Sequence, residues 1–248
     1  MQRRAQACPR QRSRWGPLGS VALALAVWLP GADAVAARVG GALGLSSQLV
    51  DRGVAVTPAT STVQGAAYWL PAPGWSLSVS ASSLLRKPGE LRLVTAEASR
   101  NWTLSDNWQM QAGLLYYVYP ANRVEKLLNR NEASLGWSYR DLLSFSVAAF
   151  QLPDSGDRGR WYKAADLSVH QALPAHLALS AGVGISQAPS ALYGLGSAEH
   201  YRYGHAGLLW NAGSWTAEID REFSGARGGY AWHAKPPWPW VITVSRSF

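Results

Sequence analysis

The chain has 248 residues, a formal net charge of +8 and a single cysteine, Cys8. Residues 1–34 carry five of the 23 basic side chains and one of the 15 acidic ones, which leaves 18 against 14 in the remainder and no cluster of Lys and Arg there. A net charge of about +4 without a basic cluster argues against a nucleic-acid partner, and a chain without cysteine after Cys8 has no disulfide and no lipid-anchoring thiol.

The N-terminal segment has the pattern of a secretory signal peptide. An arginine-rich start precedes the apolar run Val21–Leu29, which is shorter than the roughly 20 residues of a membrane-spanning helix. The small-x-small triplets Ala32-Asp33-Ala34 and Ala34-Val35-Ala36 both fit a cleavage site. We therefore expect residues 1–36 to be a cleaved signal peptide and 37–248 to form one exported domain.

From residue 43 to the last residue, apolar and polar side chains alternate with a period of two in segments bounded by turn residues. In the clearest segment, Trp75, Leu77 and Val79 alternate with serines, a separation that a helix would mix. The pattern predicts twelve strands, at approximately 43–56, 61–70, 75–85, 90–103, 107–119, 131–140, 142–152, 160–173, 177–187, 201–212, 214–224 and 240–248.

Alternation alone fits both a soluble sandwich with its apolar face inward and a membrane barrel with its apolar face outward. The lengths of the links favour the barrel, because they separate into two classes. The tight even-to-odd links are 71–74, 105–106, 139–141, 174–176 and 212–214. The odd-to-even links are mostly longer, at 120–130, 153–159, 188–200 and 225–239, with 57–60 and 86–89 as short exceptions.

Short turns at one end, long loops at the other and an even strand count are typical of outer-membrane barrels. The sequence therefore predicts an all-β fold, a closed antiparallel up-and-down transmembrane β-barrel of about twelve strands in a bacterial outer membrane. Both termini of the barrel then lie on the short-turn, periplasmic side. Outer-membrane lipid is an expected partner.

The last segment ends on an aromatic residue. A terminal Phe on an alternating strand resembles the signal by which the barrel-assembly machinery recognises its substrates, so we expect that machinery as a partner during biogenesis. Arg246 lies on the same apolar face, where a long cation reaches water at the membrane boundary. The predicted insertion signal is Trp240, Ile242, Val244 and Phe248.

Four segments in order resemble the Gcw_chp family of uncharacterised Proteobacterial barrels. They are Ser46–Gly53, Val63-Gln64-Gly65, Tyr116-Tyr117-Val118-Tyr119-Pro120 and Val244–Phe248. The resemblance covers essentially the whole exported part, although the first strand lacks the family's usual Tyr and Phe. It implies the barrel fold and the outer membrane, and it brings no substrate, cofactor or catalytic residue.

Successive residues of a strand face opposite sides, and this alternation places a set of charged side chains on the inward face, where carboxylates avoid the bilayer. One interpretation is a charged pore lining that favours cations or polar solutes. The alternative is that the carboxylates pair with Arg140, Arg52 and other inward cations and fill a narrow barrel. The candidate lining residues are Glu132, Arg140, Asp166, His170, Glu218, Asp220 and Glu222.

No pattern indicates a metal site, a cofactor or an enzyme. Asp166 and His170 lie about 13 Å apart along one strand, too far to act together, and no serine lies in a Gly-x-Ser-x-Gly turn. In the outer loop 227–240, Tyr230 and Trp232 fit either a ligand-binding or constricting loop or the aromatic girdle.

The sequence thus predicts a small passive pore for hydrophilic solutes, without enzymatic activity. The alternative is a plugged barrel with a structural or surface-binding role.

Overall fold

The structure is a computed structural model that describes residues 38–57, 59–121, 125–155, 159–187, 200–225 and 239–248. The predicted signal peptide, residues 1–36, lies outside the described residues, as do Tyr230 and Trp232 of the outer loop. Within the described ranges, no helix is both long enough and apolar enough to cross a membrane.

Twelve antiparallel strands close into one barrel, and a two-stranded hairpin lies apart from it. This confirms the predicted fold and strand number. β2 and β3 form the hairpin, and β1 closes the barrel by pairing with both β4 and β14. The strands are β1 (Arg38–Ser46), β2 (Val50–Asp51), β3 (Val54–Ala55), β4 (Thr62–Leu70), β5 (Trp75–Leu84), β6 (Lys87–Thr103), β7 (Trp108–Val118), β8 (Arg130–Tyr139), β9 (Leu143–Gln151), β10 (Tyr162–Ala172), β11 (Leu177–Gln187), β12 (His200–Ala212), β13 (Trp215–Ser224) and β14 (Trp240–Ser247).

The apolar face of the strands points outward. On β5, Trp75, Leu77 and Val79 are 42 %, 36 % and 50 % exposed, whereas Ser76 and Ser78 between them are half-buried and face the lumen. A soluble sandwich would bury the apolar set, so the exposure pattern decides between the two folds that alternation left open. The protein is apolar outside and polar inside, as a barrel surrounded by lipid must be.

The two ends of the barrel differ as predicted. Tight turns occupy one end, where Gly74 and Gly213 have φ of 78° and 60° and Ala175 and His176 also have positive φ. Four of the five longer links at the other end match their predicted positions, and the β5–β6 link there is tight. The predicted short link 57–60 is wrong, because the chain between β1 and β4 runs from residue 47 to residue 61.

The first predicted strand, 43–56, is also wrong. The barrel strand ends at Ser46, and the chain then forms the β2–β3 hairpin, whose turn residues Arg52 and Gly53 have φ of 48° and 71°. Positive φ at both turn positions is the type I′ geometry that suits the twist of a two-residue hairpin. Leu49-Val50 and Val54-Ala55-Val56 interrupt the alternation on both sides of this turn, but Arg52-Gly53 is not a pair that marks a tight turn, so one continuous strand was predicted.

Candidate functional site

The long link between β1 and β4 folds back into the barrel. We call residues 47–57 the inner hairpin. Leu49, Val50 and Ala55 of this segment are only 3 %, 2 % and 1 % exposed. The guanidinium of Arg52 lies 5.3 Å from the ring centre of Phe150, on β9, which is six strands from β1 in either direction around the barrel. The inner hairpin therefore crosses the lumen.

The tip of the inner hairpin contacts the wall at Gly53. A Cβ atom added to Gly53 would lie 2.6 Å from the Cβ of Tyr203 and 3.3 Å from the Cβ of Ser224. Those residues lie at the long-loop ends of β12 and β13. The close approach and the positive φ together explain why glycine is needed at this position.

Two arginines and two carboxylates fasten the inner hairpin to β8. Arg52 Nη2 donates to Glu132 Oε1 at 2.7 Å, and Arg130 Nη1 donates to Asp51 Oδ2 at 2.7 Å. Arg130 Nε lies 3.1 Å from Glu132 Oε2. All four side chains are nearly buried, and their charges balance. We call this group the salt-bridge cluster.

Asp51 of the salt-bridge cluster favours its charged form. Burial alone would raise the pKa of the Asp51 carboxyl, but Arg130 and Arg52 hold that pKa below its ordinary value of 3.8. Arg130 also stacks on the ring of Tyr117, with its Cζ 3.9 Å from the ring centre. These contacts hold the inner hairpin in one position at neutral pH.

Apolar contacts and internal hydrogen bonds complete the fixation of the inner hairpin. Leu49 and Val56 pack with Leu93 of β6 and Tyr119 in one buried cluster. Within the hairpin, the amide of Leu49 donates to Thr57 Oγ1 at 3.0 Å. The inner hairpin is therefore a packed part of the lumen that narrows its long-loop half.

Glu132→Gln is expected to destabilise the barrel, because it leaves two buried arginines with one carboxylate. Removing one partner of a buried ion pair costs about 3–5 kcal/mol. The matched control is Glu97→Gln, since Glu97 is half-buried on β6 and no Lys or Arg of the described residues lies within ion-pair distance of it. Urea titration of the folded barrel in lipid would measure both free energies of unfolding, and equal losses would contradict the role given to Glu132.

On the short-turn side of the inner hairpin, β13 presents three carboxylates to the lumen. We call Glu218, Asp220 and Glu222 the acidic wall. They alternate with outward side chains such as Ile219, which is 39 % exposed. Glu222 lies opposite His205 and Asp220 opposite Gly207 in the register of β12 and β13. Among the described residues, no Lys or Arg comes within ion-pair distance of the acidic wall.

Small residues make room for the side chains of the acidic wall. The carboxylate of Asp220 occupies the space that a side chain at Gly207 would need, and the ring of His205 does the same over Gly182. These groups thus lie along the wall instead of projecting to the barrel axis. The lower half of the lumen is polar and acidic on this side.

Asp166 lies between the acidic wall and the inner hairpin. Its Oδ1 accepts a hydrogen bond of 2.5 Å from the hydroxyl of Tyr203, the residue against which Gly53 packs. His170 is half-buried on the same inward face of β10. The predicted inward positions of Asp166 and His170 agree with the structure.

Two of the predicted lining residues have other surroundings. Arg140 is exposed in the turn after β8, with φ of 49°, and its Nε donates to Asn107 Oδ1 at 2.9 Å. Its prediction as a lumen residue is wrong, because β8 ends one residue earlier. Glu132 faces inward but pairs with Arg52, which is the pairing that the alternative interpretation proposed.

The residues of the predicted insertion signal, Trp240, Ile242, Val244 and Phe248, are 45 %, 50 %, 39 % and 74 % exposed on the outer face.

Sequence reasoning missed three contributors to the lumen. Asp51 was assigned to a continuous barrel strand, and neither Arg130 nor Glu97 was singled out, although the alternation places Glu97 inward between Ala96 and Ala98. In the described part of the chain, no group of three His, Cys, Asp or Glu side chains has an arrangement that could hold a metal ion.

Comparison with known proteins relates the chain to barrels by fold. No family model matches the sequence, and no curated protein matches it. The structure resembles that of the NanC porin with a TM-score of 0.54 and 14 % identity, over 85 % of this chain and 99 % of that one. It resembles the KdgM porin with a TM-score of 0.51 and 8 % identity, over 84 % and 98 % of the two chains. Likeness at such low identity shows the fold alone.

Proposed function

We propose that the protein is a passive pore for small hydrophilic solutes in the bacterial outer membrane, and that its lumen favours cations. The observation that carries this proposal is the acidic wall, a row of three lumen carboxylates without a Lys or Arg partner in the described residues. Such a lining attracts cations and repels anions. The two solved structures with the same fold are porins by name, which agrees with this proposal.

The balance of inward charge supports the preference for cations. The salt-bridge cluster contributes no net charge, because its two arginines offset Asp51 and Glu132. Asp166 and Glu97 remain as further inward carboxylates, and neither lies within ion-pair distance of a described Lys or Arg. Among the described residues, carboxylates without a Lys or Arg partner therefore predominate in the lumen on the short-turn side of the inner hairpin.

A second candidate is a plugged barrel with a structural or surface-binding role. The inner hairpin favours it, because it crosses the lumen and is fastened to the opposite wall. The two candidates share the fold, the apolar exterior and the outer-membrane location. They differ in whether solutes pass beside the inner hairpin.

The experiment that separates them is single-channel recording of the refolded protein without residues 1–36 in a planar bilayer. A change in gel mobility on heating would first establish that the barrel has formed. For a pore we expect steady current steps that increase in proportion to salt concentration. A folded barrel without current steps would contradict the pore and favour the plugged barrel.

We further propose export by the N-terminal signal peptide and insertion guided by the outward aromatic and aliphatic residues of β14. The resemblance to the Gcw_chp family is consistent with both and stays a prediction.

A further inference from the structure

Two arginines lie on the outer surface of the barrel near its short-turn end. Arg100 on β6 and Arg246 on β14 are exposed on the outward face. No carboxylate among the described residues lies within ion-pair distance of either guanidinium. An uncompensated charge on the lipid-facing side is costly in the middle of a bilayer and is tolerated at its boundary.

Both arginines stack on tryptophan rings. The Cζ of Arg100 lies 5.2 Å from the ring centre of Trp75 and 5.1 Å from that of Trp102. The Cζ of Arg246 lies 5.5 Å from the ring centre of Trp215. These distances are typical of cation–π contacts.

The position of the rings fixes the depth of the arginines in the membrane. Trp75 and Trp215 are the first residues of β5 and β13, immediately after tight turns, and lie directly opposite Arg100 and Arg246 in the strand registers. Tryptophan rings concentrate at the level of the lipid headgroups. The two guanidinium groups therefore lie at the height of the lipid phosphates.

Stacking determines which atoms remain available for binding. The guanidinium is planar and its N–H groups point outward in that plane, so a ring that lies over a face of the group leaves these N–H groups accessible. That edge matches two oxygens of a phosphate, to which arginine donates in a bidentate manner. A planar cation that is preorganised on a ring and has no acidic partner is suited to an anionic oxygen pair from outside the protein.

We propose that these two groups, Arg100 with Trp75 and Trp102, and Arg246 with Trp215, are binding sites for the phosphate of a membrane phospholipid. We call them the rim sites. β6 and β14 are four strands apart around the barrel, so the rim sites bind separate lipid molecules. They would fix the height of the short-turn end against the lipid headgroups, whatever passes through the lumen.

The test is native mass spectrometry of the folded barrel in detergent with added phosphatidylglycerol or with a diacyl galactolipid that lacks phosphate. We expect the phospholipid to bind at least about tenfold more tightly, which is the effect of one charge-assisted hydrogen bond. We also expect that inorganic phosphate does not displace it, because the acyl chains contribute to binding. Equal binding of the two lipids, or displacement by millimolar phosphate, would overturn the proposal.

Variants locate the binding. Arg100→Gln with Arg246→Gln is expected to weaken phosphatidylglycerol binding about tenfold at each site. Arg100→Lys with Arg246→Lys keeps the charge and should give a smaller loss, since lysine lacks the planar fork.

The matched control is Lys163→Gln with Arg202→Gln. It removes two exposed cations near the long-loop ends of β10 and β12, for which no ring contact is seen in the described residues. The gel mobility shift on heating establishes that each variant is folded. The proposal is wrong if the control weakens binding as much as the rim-site variants do.

Discussion

Replacing residues 48–57 by a short Gly-Ser linker is expected to raise the single-channel conductance several-fold. The inner hairpin occupies the long-loop half of the lumen, and its tip packs against Tyr203 of β12 and Ser224 of β13. Strand number sets the diameter of a barrel, so the deletion leaves the twelve-stranded wall as it is. The passage becomes wider because the inner hairpin no longer fills part of it. The deletion leaves Arg130 and Glu132 3.1 Å apart, so that they still neutralise each other.

A point substitution tests the same constriction without removing any chain. Gly53→Ala places a methyl group 2.6 Å from the Cβ of Tyr203 at a φ of 71°, and should push the tip off the wall. We expect a conductance between those of the wild type and the deletion, with larger fluctuations of the open current.

Gly213→Ala is the matched control for the point substitution. Gly213 also has a positive φ, of 60°, but nothing lies within 4 Å of the added Cβ. Gly213→Ala has the same cost as Gly53→Ala of placing alanine at a positive φ, about 1 kcal/mol, and should leave the conductance unchanged. A deletion variant that conducts like the wild type would show that the inner hairpin is not the constriction.

The barrel was predictable because two independent patterns agree. The period-two alternation determines which side chains share a face. The two classes of link length show that the long loops lie at one end of the barrel and most of the tight turns at the other. The positions of Asp166 and the acidic wall follow from parity alone, since a carboxylate facing the lipid would be costly. These are local consequences of strand geometry, and a single sequence contains them.

The inner hairpin was not predictable by the same reasoning. Its Arg52-Gly53 turn lacks the Asn-Gly or Asp-Gly pair that usually marks a type I′ turn, and the flanking Leu49-Val50 and Val54-Ala55-Val56 are residue types that a strand also favours. The pairs that hold it join Asp51 to Arg130 and Arg52 to Glu132, about 80 residues apart in sequence. Parity shows that Glu132 faces inward, but it cannot show which cation meets it there.

The expected selectivity depends on the distance between the acidic wall and a permeating ion. A carboxylate 4 Å from a monovalent cation stabilises it by about 1 kcal/mol even at the dielectric constant of water. That energy is a factor of about five in local concentration. At 0.1 M salt the screening length is about 10 Å, so the three carboxylates of the acidic wall act on the same ion.

Neutralising the acidic wall is therefore expected to abolish most of the preference for cations. In Glu218→Gln, Asp220→Asn, Glu222→Gln, the ratio of potassium to chloride permeability should fall at least about fivefold. The reversal potential in a potassium chloride gradient measures this ratio. The matched control is Asp106→Asn with Asp141→Asn, which removes charge from short-turn loops outside the lumen and should shift the potential little. An unchanged reversal potential in a conducting triple variant would show that the acidic wall does not set the ion preference.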